Sequence, residues 1–182
     1  MSKLILLKSI LKDKNVASVI PTSKKVVSEI CENLNFSKDI IVIEYGPGDG
    51  IFTKYLLSRM NSNSKIIALE TNKKLFEHLK KINDKRLIVI NKSAENIKEV
   101  IRELKYEKAD IVLSGIPFSL LKKDVKERII NDTKEILKPK GNLIVYQMSK
   151  QMKPILSGHF NKVDCSLKPF NFPPLFVFEV SN

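Results

Sequence analysis

Tryptophan is absent from this chain, and cysteine and histidine occur only twice each. Cys31 and Cys165 stand far apart, as do His78 and His159, and neither pair has the spacing of a zinc site, so no metal is expected. Two distant cysteines suit free thiols in a reducing compartment better than a disulfide framework. Arginine is scarce, with 4 residues against 28 lysines. Arginine reads bases and phosphates in fixed geometry, whereas lysine is a solvated point charge. The net charge of +12 therefore favours a polyanionic partner, nucleic acid or an anionic membrane surface, with a merely solvated lysine-rich surface as the plain alternative. No apolar run reaches about 18 residues, so no segment is expected to span a bilayer. The N-terminus lacks the apolar core and small-residue cleavage site of a signal peptide. A cytoplasmic chain is expected, one that can sit peripherally on the inner face of the membrane. Its 182 residues suit one domain rather than two.

Glycine is sparse too, six in all, yet three fall at alternate positions in one short stretch. Residues 40–50 read Ile-Ile-Val-Ile-Glu-Tyr-Gly-Pro-Gly-Asp-Gly, a buried strand running through an acid into a tight turn. Glycine there lets a ligand lie against backbone. No Gly-Lys-Ser/Thr follows, which excludes a triphosphate-binding P-loop, and the spacing is not the Gly-x-Gly-x-x-Gly of nicotinamide enzymes. A second apolar strand, residues 65–70, ends in Glu70, 24 positions after Gly46. An acid about 20 residues beyond a Gly loop accepts hydrogen bonds from ribose hydroxyls. A ligand with a ribose and no pyrophosphate is expected. A bare strand-to-helix turn with an acid capping a strand is the alternative.

Apolar strands and amphipathic helices alternate along the rest, which implies a parallel α/β sheet. Helices are expected over 3–14 and 22–34, with Thr22 or Ser23 as N-cap, then over 51–60, 72–81, 97–104 and 120–137. Strands are expected over 40–45, 65–70, 87–91, 109–114 and 142–148, with Lys138-Pro139-Lys140-Gly141 closing the long helix. Residues 163–167 and 175–180 suit a terminal hairpin. The segment 3–14 carries leucines on one face and lysines beside them, a pattern that lies in a membrane interface or packs on its own sheet. Phe170, Phe172 and Phe176 are expected in the core, with contact to acyl chains as the other place for them.

The Gly motif and the paired acids resemble the first two motifs of class I S-adenosylmethionine-dependent methyltransferases. That resemblance implies a Rossmann-like α/β fold: a seven-stranded, mostly parallel sheet with a C-terminal antiparallel hairpin, helices on both faces and an N-terminal helical extension. It implies one domain over 1–182, with 1–36 as a lid or membrane contact and 37–182 as the catalytic core. The implied cofactor is S-adenosylmethionine, leaving as S-adenosylhomocysteine. Glu44, Gly46, Gly48 and Gly50 would lie along its methionine and ribose, Glu70 and Thr71 at the ribose, and Ser93 and Ala94 at the adenine, where an acid is usual. Thr22 and Ser23 would close over it. Ser114 and Gly115 would stand near the transferred methyl, with Ile116, Pro117 and Phe118 facing the substrate. Amino-directed nucleic-acid methyltransferases carry an Asn or Asp where this chain has Gly115.

Three further segments, Val16 to Ser23, Ser114 to Phe118 and Asn171-Phe172-Pro173-Pro174, together resemble bacterial phospholipid N-methyltransferases, which act on phosphatidylethanolamine. The departures are Thr22, Ser93 and Gln147-Met148. A ribosomal RNA adenine dimethyltransferase is the rival reading, favoured by charge and opposed by Gly115 and by a chain that ends at Asn182 without a further RNA-binding domain. A non-catalytic cofactor- or membrane-binding protein is the third. Methyl transfer from a sulfonium needs alignment and a neutral amine nucleophile. Tyr45, Tyr146 and His159 are the candidates to orient or deprotonate it.

Overall fold

A computed structural model describes residues 22–181, so the predicted helix over 3–14 and the residues before Thr22 in the Val16 segment lie outside the described residues. The first helix among the described residues, α1 (Lys24–Ile30), begins where Ser23 accepts the Val26 N–H in its side chain, the expected capping chemistry. There follow β1 (Ile41–Tyr45), α2 (Ile51–Arg59), β2 (Lys65–Leu69), α3 (Lys73–Leu79) and β3 (Leu87–Ile90). Then come α4 (Ile97–Glu103), β4 (Ala109–Ser114), α5 (Lys123–Ile136), β5 (Leu137–Gln147), α6 (Lys153–His159), β6 (Lys162–Lys168) and β7 (Leu175–Ser181).

The seven strands lie in the order β3-β2-β1-β4-β5-β7-β6. The first five are parallel, and β7 runs antiparallel to both of its neighbours. Strands buried on both faces explain the unbroken Val/Ile/Leu runs. Even-numbered positions such as Val42, Ile66 and Ile144, with Leu113, meet α1 and α2. Ile43, Ile67, Val112 and Val145 meet α4, α5 and α6. On α5, Ile129, Ile130, Thr133 and Ile136 form the buried stripe, and each such isoleucine contributes about 1.5–3 kcal/mol by leaving water.

The chain builds outward from β1 to β3 and then returns to place β4 on the other side of β1. Between β1 and β4 the order reverses, and ligands of open α/β sheets bind beyond the carboxyl ends of strands at such a point. The Gly loop after β1 and Gly115 after β4 both stand there. The Gly115 N–H donates to the Tyr45 carbonyl at 2.9 Å, and the Gly46 N–H to the Leu69 carbonyl at 2.9 Å.

Two expectations are corrected, and one helix was not foreseen. Residues 120–122 are not in the long helix, because a 3-10 turn over Phe118–Leu120 precedes α5. Lys138 to Gly141 form no closing turn; they extend β5, and Lys138 Nζ meets Asp110 Oδ2 at 2.8 Å. Helix α6 was missed, since Pro154 in its first turn reads as a breaker although proline is tolerated there.

Candidate active site

At the reversal point the structure holds a cleft of about 260 Å³. The strand ends supply its polar wall through Gly46, Glu70, Thr71, Ser93, Ala94 and Gly115, and Ile116, Pro117 and Leu120 close the apolar side. Eight positions expected at the site from sequence thus line one cleft, drawn from four strand ends.

Two buried carboxylates organise the Gly loop. Glu44 is fully buried and its Oε2 accepts the Thr53 hydroxyl at 2.6 Å. Its Oε1 has no hydrogen-bond partner among the described residues. Burial pushes the Glu44 carboxyl up to about 7; the Thr53 hydroxyl opposes this, while Glu70 and Asp49 add to it. Glu70 accepts the Asn72 N–H at 2.8 Å and the Gly48 N–H at 3.3 Å, so the acid of β2 holds the loop of β1. Burial raises the Glu70 carboxyl, and those backbone N–H groups pull it back.

Gly46, at φ 63°, has no room for a side chain, because a Cβ would stand 2.8 Å from Ile116 Cγ2. Gly115 is tighter still. A Cβ there would lie 2.3 Å from the Tyr146 hydroxyl. Tyr146 reaches across from β5 with its ring stacked on Phe52, centroids 4.5 Å apart. Its hydroxyl therefore occupies the space into which an Asn side chain at 115 would extend. Burial, and then the charge of Glu44, raise the phenol well above its ordinary range, so it stays neutral.

The structure does not bring every expected residue to the cleft. Tyr45 does not line the cleft: it turns to the face of β1 opposite Glu44 and is buried among Leu69, Ala94 and Ile129, with its hydroxyl 3.1 Å from Thr133 Oγ1. Thr133 already donates its one proton to the Ile129 carbonyl, so Tyr45 is the donor and is consumed in the core. His159 ends α6 near the start of β6, at the other rim of the sheet, where Nε2 meets Glu127 at 2.7 Å. Phe118 is fully buried and Ser114 points inward, its Oγ without a partner among the described residues. Strand alternation, invisible in a motif, decides the direction of Tyr45 and Ser114, while a helix and a 3-10 turn place His159 and Phe118.

Three residues were missed. Thr53 steadies Glu44. Glu95 lines the cleft beside Ser93, whose Oγ accepts its N–H at 3.3 Å, and it is paired with Arg128. The Ser-x-Glu capping pattern was the available signal. Asn171, 2% exposed, accepts the Ser23 N–H at 3.0 Å and donates to the Pro173 carbonyl at 2.9 Å. It physically joins two of the segments noted separately in sequence. Nothing local announces a bond across 148 positions.

The ribosomal RNA adenine dimethylase family matches residues 12–136. The chain belongs to that family. An ornithine lipid N-methyltransferase of Singulisphaera acidiphila is 24% identical over 162 residues, 87% of this chain and 84% of that one. A ribosomal RNA small subunit methyltransferase A of Hydrogenobaculum is 31% identical over 129 residues, 62% of this chain. This family member spans 50% of that relative's length. The precorrin-6y C5,15-methyltransferase of Geobacter metallireducens shares the fold, with a TM-score of 0.72 at 18% identity over 89% of this chain and 90% of its own. This family member is an S-adenosylmethionine-dependent methyltransferase, and N-methylation fits its relatives. The end of β1 suits that cofactor on two local grounds: the buried Glu44 Oε1, without a hydrogen-bond partner among the described residues, and a backbone at Gly46 that leaves no room for a Cβ.

Proposed function

We propose that this chain methylates the amine of a membrane-lipid headgroup of the phosphatidylethanolamine type. The observation that carries the reading is the Tyr146 hydroxyl set against Gly115. A planar exocyclic base amine is held by an amide oxygen and an aromatic platform. Here the amide position is filled by a neighbour's hydroxyl, and Phe118, the aromatic of that turn, is buried. A flipped adenine would lose both contacts in a desolvated site. A small alkyl amine needs only one acceptor to aim its lone pair. The lipid-methylating relative, which aligns along most of both chains, supports the same choice.

When bound, S-adenosylmethionine supplies an electrophilic methyl on a good leaving group. The residues then have positional work. Glu44 balances the cofactor's cationic end through the Thr53-held carboxyl. Gly46, Gly48 and Gly50 let it lie on backbone, Glu70 and Thr71 hold the ribose, and Ser93, Ala94 and Glu95 border the adenine. Thr22 and Ser23, with residues 1–36 as lid or membrane contact on the 37–182 core, close the mouth. Ile116 and Pro117 face the headgroup. Tyr146 accepts an amine N–H and does not deprotonate it, since its phenol is held neutral.

RNA adenine methylation is the second reading, favoured by the family match and the charge of +12. Labelled S-adenosylmethionine offered with phosphatidylethanolamine vesicles or with unmodified ribosomal RNA separates them. Label in lipid supports the proposal; label in RNA alone, or cofactor binding with no transfer, ends it.

A further inference from the structure

Among the described residues, the large hydrophobic side chains left most open to solvent are Phe170 and Phe172, 71% and 59% exposed, on the loop between β6 and β7. Register fixes where this tip stands. Gln147 at the end of β5 pairs with Phe176, which pairs with Leu167, so residues 169–174 project beyond the rim at which the cleft opens. Leu167 and Leu120, also exposed, belong to the same rim.

The tip is anchored, not loose. Asn171, between the two rings, is buried and ties the loop to Ser23 and to Pro173. Lysines collar the apolar knob. Lys25 Nζ sits 4.4 Å from the Phe170 ring centroid, and Lys150 Nζ 5.0 Å from that of Phe176. Aromatic rings held out from a fixed loop with ammonium groups around them match a bilayer interface: the rings suit headgroup depth and the cations suit lipid phosphates. A stacked base fits less well, because Lys25 already covers one face of Phe170.

We infer that the β6–β7 tip is an interfacial anchor, with Phe170 and Phe172 entering the headgroup layer of an anionic bilayer and Lys25 and Lys150 meeting its phosphates, so that the cleft mouth faces the membrane. The inference rests on the lipid reading of the site and supplies its direction of approach.

The test uses the full chain and vesicles of phosphatidylglycerol and phosphatidylcholine, which carry no primary amine substrate. The wild type is expected to sediment with them and to be released by salt. F170S/F172S is expected to partition roughly tenfold less or weaker still, with S-adenosylhomocysteine binding unchanged because both rings are on the surface. Since the chain has no tryptophan, F170W gives a lone reporter whose emission shifts to the blue on these vesicles. Unaltered sedimentation of F170S/F172S, or an F170W emission that ignores vesicles and moves only with single-stranded RNA, overturns the anchor. The two failures are separable. Tip-dependent sedimentation without methylation of any lipid upholds the anchor and removes the proposed substrate. Lipid methylation with a dispensable tip does the reverse.

Discussion

Glu44 carries a charge question that its surroundings answer. Its carboxyl titrates near 7 in the fold against 4.5 for the ordinary group. A folded value raised above the unfolded one favours folding fully below about 4.5, and that stabilisation is lost as pH climbs through about 7. The melting temperature of the ligand-free protein is therefore expected to fall across that window, and E44Q, which has no charge to bury, to flatten the profile while weakening S-adenosylhomocysteine binding in calorimetry. At Gly115 the constraint is steric. G115A places a methyl 2.3 Å from the Tyr146 hydroxyl, and overpacking of this kind costs about 1–3 kcal/mol. Denaturant melts should record that loss, and G115A/Y146L should regain stability without regaining methyl transfer. Y146F keeps the ring stacked on Phe52 and removes only the hydroxyl. Its kcat is expected to drop about ten- to a hundredfold, with KM for S-adenosylmethionine unchanged. A normal kcat in that variant would remove Tyr146 from the mechanism.

At the scale of elements, the decisive joint is between the start of α1 and the β6–β7 hairpin. One buried amide side chain makes both bonds. N171A leaves the Ser23 N–H and the Pro173 carbonyl without it, at a cost of about 2–3 kcal/mol. S23A removes only the cap to Val26 and keeps the backbone bond to Asn171, so it should cost about 1 kcal/mol. Urea midpoints of the two variants test the ranking. Equal losses would mean that Asn171 does no more than a helix cap. Helix α2 shows a parallel economy: it begins at Gly50 without a side-chain cap, and the loop before it is held instead by Glu70 from the next strand.

Over the whole molecule, a charge of +12 acts on whichever polyanion the cleft rim meets. Each lysine near an anionic surface contributes about 1 kcal/mol. Replacing phosphatidylglycerol by phosphatidylcholine as the diluent of a phosphatidylethanolamine vesicle is therefore expected to raise the apparent KM for lipid at least about tenfold. The KM for S-adenosylmethionine should not move. An unchanged lipid KM would assign the lysines to solubility alone.

The parallel core was legible in advance because its cause is local: apolar runs of strand length, amphipathic helices between them, and a Gly turn whose positive φ values suit glycine. The acids Glu44 and Glu70 were legible for the same reason, each standing last in an apolar run. Side-chain direction was not. A period of two at a strand end separates Tyr146, set over Gly115, from Tyr45, spent on Thr133, and the register that makes the difference comes from neighbouring strands. His159 looked available until α6 carried it to the far rim. The pairing of Ser23 with Asn171, and the exposure of Phe170 and Phe172 where core burial was expected, depend on contacts between chain ends. Local chemistry chose the elements and the kind of ligand. Long-range packing alone chose which side chains stand at the strand ends, because burial and hydrogen bonding are set by neighbours that the chain brings together only on folding.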